Sequence, residues 1–190
     1  MNGYDFDKTI YNGDSSIEFY IFLIKKKPYL IYKLLIFSIY YFLYLIKVID
    51  KIAIKEKMFS IVSKFKNIDD EINLFWNNKK LCGWYLNQKK ENDVIISASP
   101  SFLLKPFCLK NGITNLIASD VDKNTGKFIG KNCYGNEKLV QYKKIFGKKI
   151  INTFYSDSLS DKCMLTVSNK FYIVHNKNKT VNFEIIKKDN

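Results

Sequence analysis

Hydrophobic and polar positions give the chain two rhythms, with the change near residue 91. Before it, apolar residues recur at helical spacing over long stretches. After it, short apolar runs alternate with amphipathic segments. The stretch NGDSSIEFYIFLIKKK reads as a loop entering a helix, with Ser15 and Glu18 at capping-box spacing and Asp14 adding negative charge at the positive helix end. From 19 to 54 the chain is dense in Ile, Leu, Phe and Tyr, and Pro28 is expected to start a second helix within it. The least polar part, LLIFSIYYFLYLI, lies between Lys33 and Lys47. A charge-rich amphipathic helical stretch follows and ends at the linker-like NQKKEND.

In the second half, DVIIS is a short apolar strand, Pro100 opens a helix that Gly112 closes, and TNLIASDVD is another strand. Asn124, Thr125 and Gly126 predict a hairpin turn leading into KFIG. NEKLVQYKKIFG is an amphipathic helix with lysines in its last turns and Gly147 as its stop. KIINTFYSD and KFYIVHN are further strands. Strand–helix alternation of this kind predicts an α/β fold with a mostly parallel sheet.

The 190 residues suit one domain, or one domain carrying an insertion. A net charge of +13 invites a nucleic-acid or anionic-membrane partner. All the basic side chains are lysine, however, and without the Arg forks used to grip phosphates and read bases the composition argues against nucleic acid. Cys82, Cys108, Cys133 and Cys163 show no metal-finger spacing and are expected as free thiols in a reducing compartment. The polar, acidic first residues predict no signal peptide. The expected location is therefore cytoplasmic, or peripheral on the inner face of the cell membrane.

Against this basic background, Asp5 and Asp7 stand two residues apart in DFDKT. In extended backbone they share a face at about 6–7 Å, and their charges repel by about 2–3 kcal/mol at an effective dielectric near 20. Either one pKa rises or a cation sits between them. Three other features fall at predicted strand ends, where open α/β sheets bind ligands: IISASP around Ser97, GNEK at Lys138, and YSDSLSD with Asp157 and Asp161. In this order, with helices between, D-x-D-x-T, strand–Ser, Lys and D-x-x-x-D resemble the haloacid dehalogenase superfamily of phosphohydrolases. The resemblance covers nearly the whole chain and is closest to the phosphoserine phosphatase-like branch with a helical cap. Two positions depart from the pattern. Lys8 stands where the family usually has Gly, and Gly3 weakens an already short first strand.

The resemblance implies a Rossmann-like core at 1–13 and 91–190, with an inserted α-helical cap at 14–90 whose strongly apolar segment is 19–54. It implies Asp5 as nucleophile, Asp7 as general acid and base, and Lys138 as the balancing cation. Mg2+ is implied on the Asp5 carboxylate, the Asp7 carbonyl and Asp157, with Asp161 orienting Lys138 or a metal-bound water. Ser97 and the Ala98 N–H are implied at the phosphoryl oxygens. Thr9 falls in the same phosphate-binding set, more as a residue that fixes the loop. His175, Trp76, Trp84, Cys133 and Cys163 keep structural readings, as strand-end packing, core, and thiols without partners.

The apolar excess in the cap exceeds what a small cap needs for its own core. A single membrane crossing is excluded, because Asp5 and Asp7 precede the segment while Ser97 and Asp157 follow it. An in-plane helix on an anionic surface, a cap packed on itself or on a second subunit, and a re-entrant hairpin remain open. On the in-plane reading, Phe37 and Tyr41 share the lipid-facing side. The functional expectation is a magnesium-dependent phosphomonoester phosphatase acting on a lipid or a small phosphorylated molecule; the other class is a non-catalytic peripheral membrane-binding protein.

Overall fold

A computed structural model describes residues 1–177 and 180–186. Strands β1 (Gly3–Tyr4), β2 (Val94–Pro100), β3 (Asn115–Ser119), β4 (Ile151–Ser156), β5 (Ser168–Lys177) and β6 (Thr180–Ile186) form one sheet in the order β3-β2-β1-β4-β5-β6. All neighbours pair in parallel except β5 and β6, which are antiparallel. β1 is two residues long yet central, with Gly3 in register with Val94 on one side and Phe154 on the other. The glycine has a packing reason: a Cβ there would lie 2.7 Å from the Phe154 ring.

Side chains alternate across the sheet as period two requires. Val94 and Ile96 join Ile117, Tyr142, Phe154 and Phe171 in one buried cluster, and Ile95 joins Tyr4, Phe6, Leu104 and Phe107 in the other. Helices α6 (Ser101–Lys110) and α7 (Asn136–Phe146) connect strands in the second half. Five helices separate β1 from β2: α1 (Ser15–Lys26), α2 (Tyr32–Leu45), α3 (Lys51–Phe59), α4 (Ile68–Trp76) and α5 (Gly83–Gln88). α1, α4 and α5 send Phe19, Leu23, Ile72, Phe75, Trp76 and Tyr85 into the same cluster as Tyr4 and Phe6. Trp76 stacks on Phe107 at 4.1 Å and donates its indole N–H to the Leu103 carbonyl. By contrast, α2 has no buried residue.

Local details depart from the sequence expectation. Asp14, not Ser15, caps α1, accepting from the Ile17 N–H. Glu18 is drawn away from a capping box by Tyr11 and Lys79, each 2.5 Å from its Oε2. Pro28 opens a 3-10 turn, Pro28–Ile31, and α2 starts after it. Near KFIG there is only an isolated bridge, Val121 to Phe128, in place of a hairpin strand.

That bridge matters because its turn braces α3. The Phe128 N–H donates to Glu56, and Gly126, at φ +77°, sits so close that a Cβ would lie 2.4 Å from the Phe59 carbonyl carbon. Gly126→Ala is expected to cost about 2 kcal/mol or more, from left-handed strain plus the backbone clash. A denaturant midpoint indistinguishable from wild type would show that the turn does not bear on α3.

Candidate active site

Asp5 and Asp7 flank Phe6, which is fully buried and points into the core. The loop after it is held by N–H groups of Thr9, Ile10 and Tyr11 on the Phe6 carbonyl, and by Lys8 N–H on the Gly13 carbonyl. Lys8, at φ +57°, occupies the left-handed region that explains the usual glycine there. Asp5 thus sits at the C-terminal end of the central strand, beside the ends of β2 and β4 that carry Ser97 and Asp157.

Lys138, in the first turn of α7, is 2 % exposed and places its ammonium 2.6 Å from Asp5 Oδ1 and 2.6 Å from Asp161 Oδ2. Ser156 donates to the same Asp161 oxygen at 2.8 Å. Burial drives the Asp5 carboxyl up to about 7 against the pull of Lys138. Burial would also push Lys138 down, but Asp5 and Asp161 outweigh it and hold the ammonium above the ordinary lysine range. Asp7 is fixed at both oxygens, accepting from Ser15 N–H at 2.7 Å and from the Ser99 hydroxyl at 2.5 Å. Burial raises its pKa. Burial also raises Asp157, against the charges of Lys8 and Lys138.

These groups form the floor of a cavity of about 410 Å³, within the usual size for a small-molecule site. Ser97, Ala98 and Ser99 line it from β2. Its other wall is apolar: Ile17 of α1, Phe37, Tyr41 and Tyr44 of α2, and Ile54 and Met58 of α3. Thr9 lies elsewhere; fully buried, it accepts from the Asp157 N–H at 2.9 Å and so ties the two acidic loops together. His175 pairs with Glu184 across β5 and β6, outside the cavity. The four cysteines are free thiols.

Several contributors escape sequence reading. Ser99 lies two residues beyond Ser97, and the period of a strand could have found it. Lys55 had no such signal in a lysine-rich chain. It reaches from α3 to the Ala98 carbonyl (2.8 Å) and Asn132 Oδ1 (3.1 Å), and the Ser119 hydroxyl lies within hydrogen-bond distance of the same two acceptors. Burial, with Lys51 adding to it, brings Lys55 down to about 8.

Among the described residues no three His, Cys, Asp or Glu side chains converge as a metal cluster. A hard cation needs less, since carbonyl and water oxygens complete its shell. Asp5, Asp157 and the Asp7 carbonyl are an all-oxygen set, and five aspartates face four lysines around the cavity. Among the described residues the buried Oδ1 of Asp161 finds no hydrogen-bond partner, which leaves a carboxylate acceptor beside that set. The residues therefore fit Mg2+.

This arrangement belongs to a known class. The model of the haloacid dehalogenase-like hydrolases matches residues 3–166, and the chain belongs to that family. Solved structures similar to it include a protein of unknown function from Bordetella pertussis Tohama I, at TM-score 0.70 and 16% identity over 90% of this chain and 87% of that one. A HAD family hydrolase from Salmonella enterica serovar Typhi gives TM-score 0.63 and 12% identity, covering 87% and 59%. A phosphoserine phosphohydrolase-like protein from Francisella tularensis gives 0.55 and 20%, covering 90% and 86%. These likenesses establish the mixed, mostly parallel α/β fold. Protein CicA of Caulobacter vibrioides is 30% identical over 94 residues, which is 46% of this chain and 41% of that protein.

Proposed function

We propose that the protein is a Mg2+-dependent phosphomonoester hydrolase working through an aspartyl-phosphate at Asp5, with a phospholipid monoester as substrate. The observation that carries this reading is the cavity itself: Asp5 on Lys138 at its floor, beneath an apolar wall. In the first step a carboxylate oxygen of Asp5 attacks phosphorus, and the bond from phosphorus to the leaving oxygen breaks. Asp7 gives its proton to the departing alkoxide. Asp7 then takes a proton from water as the water oxygen attacks phosphorus, which releases phosphate and restores Asp5. Lys138 offsets charge on Asp5 and the phosphoryl group throughout, while Ser97 and the Ala98 N–H hold its oxygens. Held by Asp5, Asp157 and the Asp7 carbonyl, Mg2+ would supply further positive charge there. Asp161 keeps Lys138 aimed.

The choice of a lipid rests on the apolar wall and on sequence. NLIASDVD, CYGNEK and YSDSLSD, with the apolar helices, are similar to phosphatidylglycerophosphatase C. Phosphoserine-type members grip a substrate carboxylate through an Arg in the cap, and this chain has no Arg. Phosphate release from lipid and soluble monoesters, with Mg2+ and with chelator, tests both layers. Preference for phosphatidylglycerophosphate supports the full reading. Turnover confined to soluble esters keeps the chemistry and removes the lipid.

Lys55 lines the cavity with one ammonium proton beyond those given to Ala98 and Asn132, and placing that proton on a phosphoryl oxygen gives a pH test. It carries its charge below about pH 8 and loses it above, so KM for a phosphomonoester is expected to rise between pH 7 and 9. Lys55→Met is expected to raise KM about tenfold at pH 7, the loss of one charged hydrogen bond, and to flatten that rise. An unchanged KM profile in the variant would remove Lys55 from substrate binding.

A further inference from the structure

We infer that the outer face of α2 is a docking surface for an anionic lipid bilayer, on which the helix lies in plane with the active-site cavity at its inner side. This rests on the phosphatase reading only for what it delivers; the docking itself rests on the helix. Ile31, Leu35, Ile39, Phe42 and Ile46 recur on one face and are 63, 71, 59, 60 and 51 % exposed. Monomeric soluble proteins rarely leave so continuous an apolar strip bare. The fold does not need it, because the opposite stripe already holds α2 in place. Tyr20 donates to the Lys33 carbonyl at 2.7 Å, Phe37 packs on Tyr20 at 5.6 Å, and Lys57 sits 4.9 Å over Tyr40.

That packing corrects one sequence expectation. Phe37 and Tyr41 line the cavity, and the lipid-facing set is the one above. It also argues against crossing, since a transverse helix would lose all three contacts. α1 and α3, on either side of it, are anchored by Leu23, Ile54, Met58 and Phe59, all buried.

Charge selects the occupant. Residues 19–49 carry five lysines and no carboxylate. Lys25 and Lys26 end α1 close to the start of the strip, and Lys47 follows its end, all exposed. Cations at both ends of an apolar in-plane helix match anionic headgroups around acyl chains. A symmetric pairing of two copies would instead set these lysines against their equivalents. Exposed Tyr29 and Tyr32 add amphipathic rings suited to the headgroup level. Because Phe37, Tyr41 and Tyr44 form the inner side of the same helix, a lipid monoester at the bilayer has a short apolar route to Asp5.

The test is flotation of the full chain with vesicles of equal phosphatidylcholine and phosphatidylglycerol, and with phosphatidylcholine alone. Wild type is expected to float with the anionic vesicles, less at high salt. Leu35→Ser/Ile39→Ser/Phe42→Ser is expected to lower partitioning at least about tenfold, with circular dichroism and p-nitrophenyl phosphate hydrolysis unchanged. Wild type that floats no better than the variant overturns the inference. So does a wild-type dimer, seen by light scattering, that the variant dissociates without any vesicle binding. Vesicle binding without phosphate release would support docking and remove the phosphatase reading. Release without vesicle binding would do the reverse.

Discussion

Asp5→Asn is expected to fold as wild type and to lose about 10⁴- to 10⁶-fold in phosphate release, the scale set by removing a covalent nucleophile or its activating partner. The amide keeps an oxygen for Lys138, so the packing at the floor survives, but it cannot form an acyl-phosphate. No neighbouring acid can take over. Asp7 is held at both oxygens by Ser15 and Ser99, and Asp161 is 1 % exposed behind Lys138. Asp157 is fastened through its backbone to Thr9 on another loop. Initial rates with a chromogenic monoester, alongside thermal unfolding, separate lost chemistry from lost fold.

Lys138→Met should act on both stability and turnover. The ammonium is enclosed, with Asp5 and Asp161 each at 2.6 Å. Removing one partner of a buried ion group leaves uncompensated charge, at a cost of about 3–5 kcal/mol. Methionine nearly fills the volume, so the loss reports charge more than cavity. A fall of that size in unfolding free energy, with turnover abolished in the fraction that stays folded, is the expected outcome. A variant as stable as wild type would mean that Asp5 and Asp161 are satisfied by something other than Lys138.

The order of the acids and one lysine along the chain was legible, but Lys138 stands in the first turn of α7 and Asp161 in a 3-10 turn, not at the strand ends that the sequence pattern predicts. Asp5, Asp7, Ser97, Lys138, Asp157 and Asp161 all line the same cavity. Thr9 was legible as a loop residue only, since nothing local tells which way a buried hydroxyl faces. What closes the site was hidden for a different reason. Lys55 gains its meaning from Ala98 and Asn132, which lie 43 and 77 residues away along the chain. Glu18 does not close the capping box that its spacing predicts because Tyr11 and Lys79 hold it, a tertiary contact no local pattern announces. β6 is not among the strands predicted from the sequence, although Val181, Phe183 and Ile185 alternate with polar residues. In α2, apolar residues occur all round, so periodicity could not say which side meets the cavity. Packing against Tyr20 and Lys57 decides it.

Phosphoryl transfer is expected to pass through Asp5. Asp7→Asn removes the base that activates water, so a covalent intermediate formed at Asp5 should accumulate. The variant, mixed with Mg2+ and p-nitrophenyl phosphate, whose leaving group departs without the proton that Asp7 would give, and quenched in acid, is then mapped by peptide mass spectrometry. One phosphoryl group on the peptide bearing Asp5, absent from the Asp5→Asn/Asp7→Asn double variant, is the predicted result. A phosphoryl group on any other residue, or leaving-group release with no protein-bound phosphoryl group at any quench time, would contradict it.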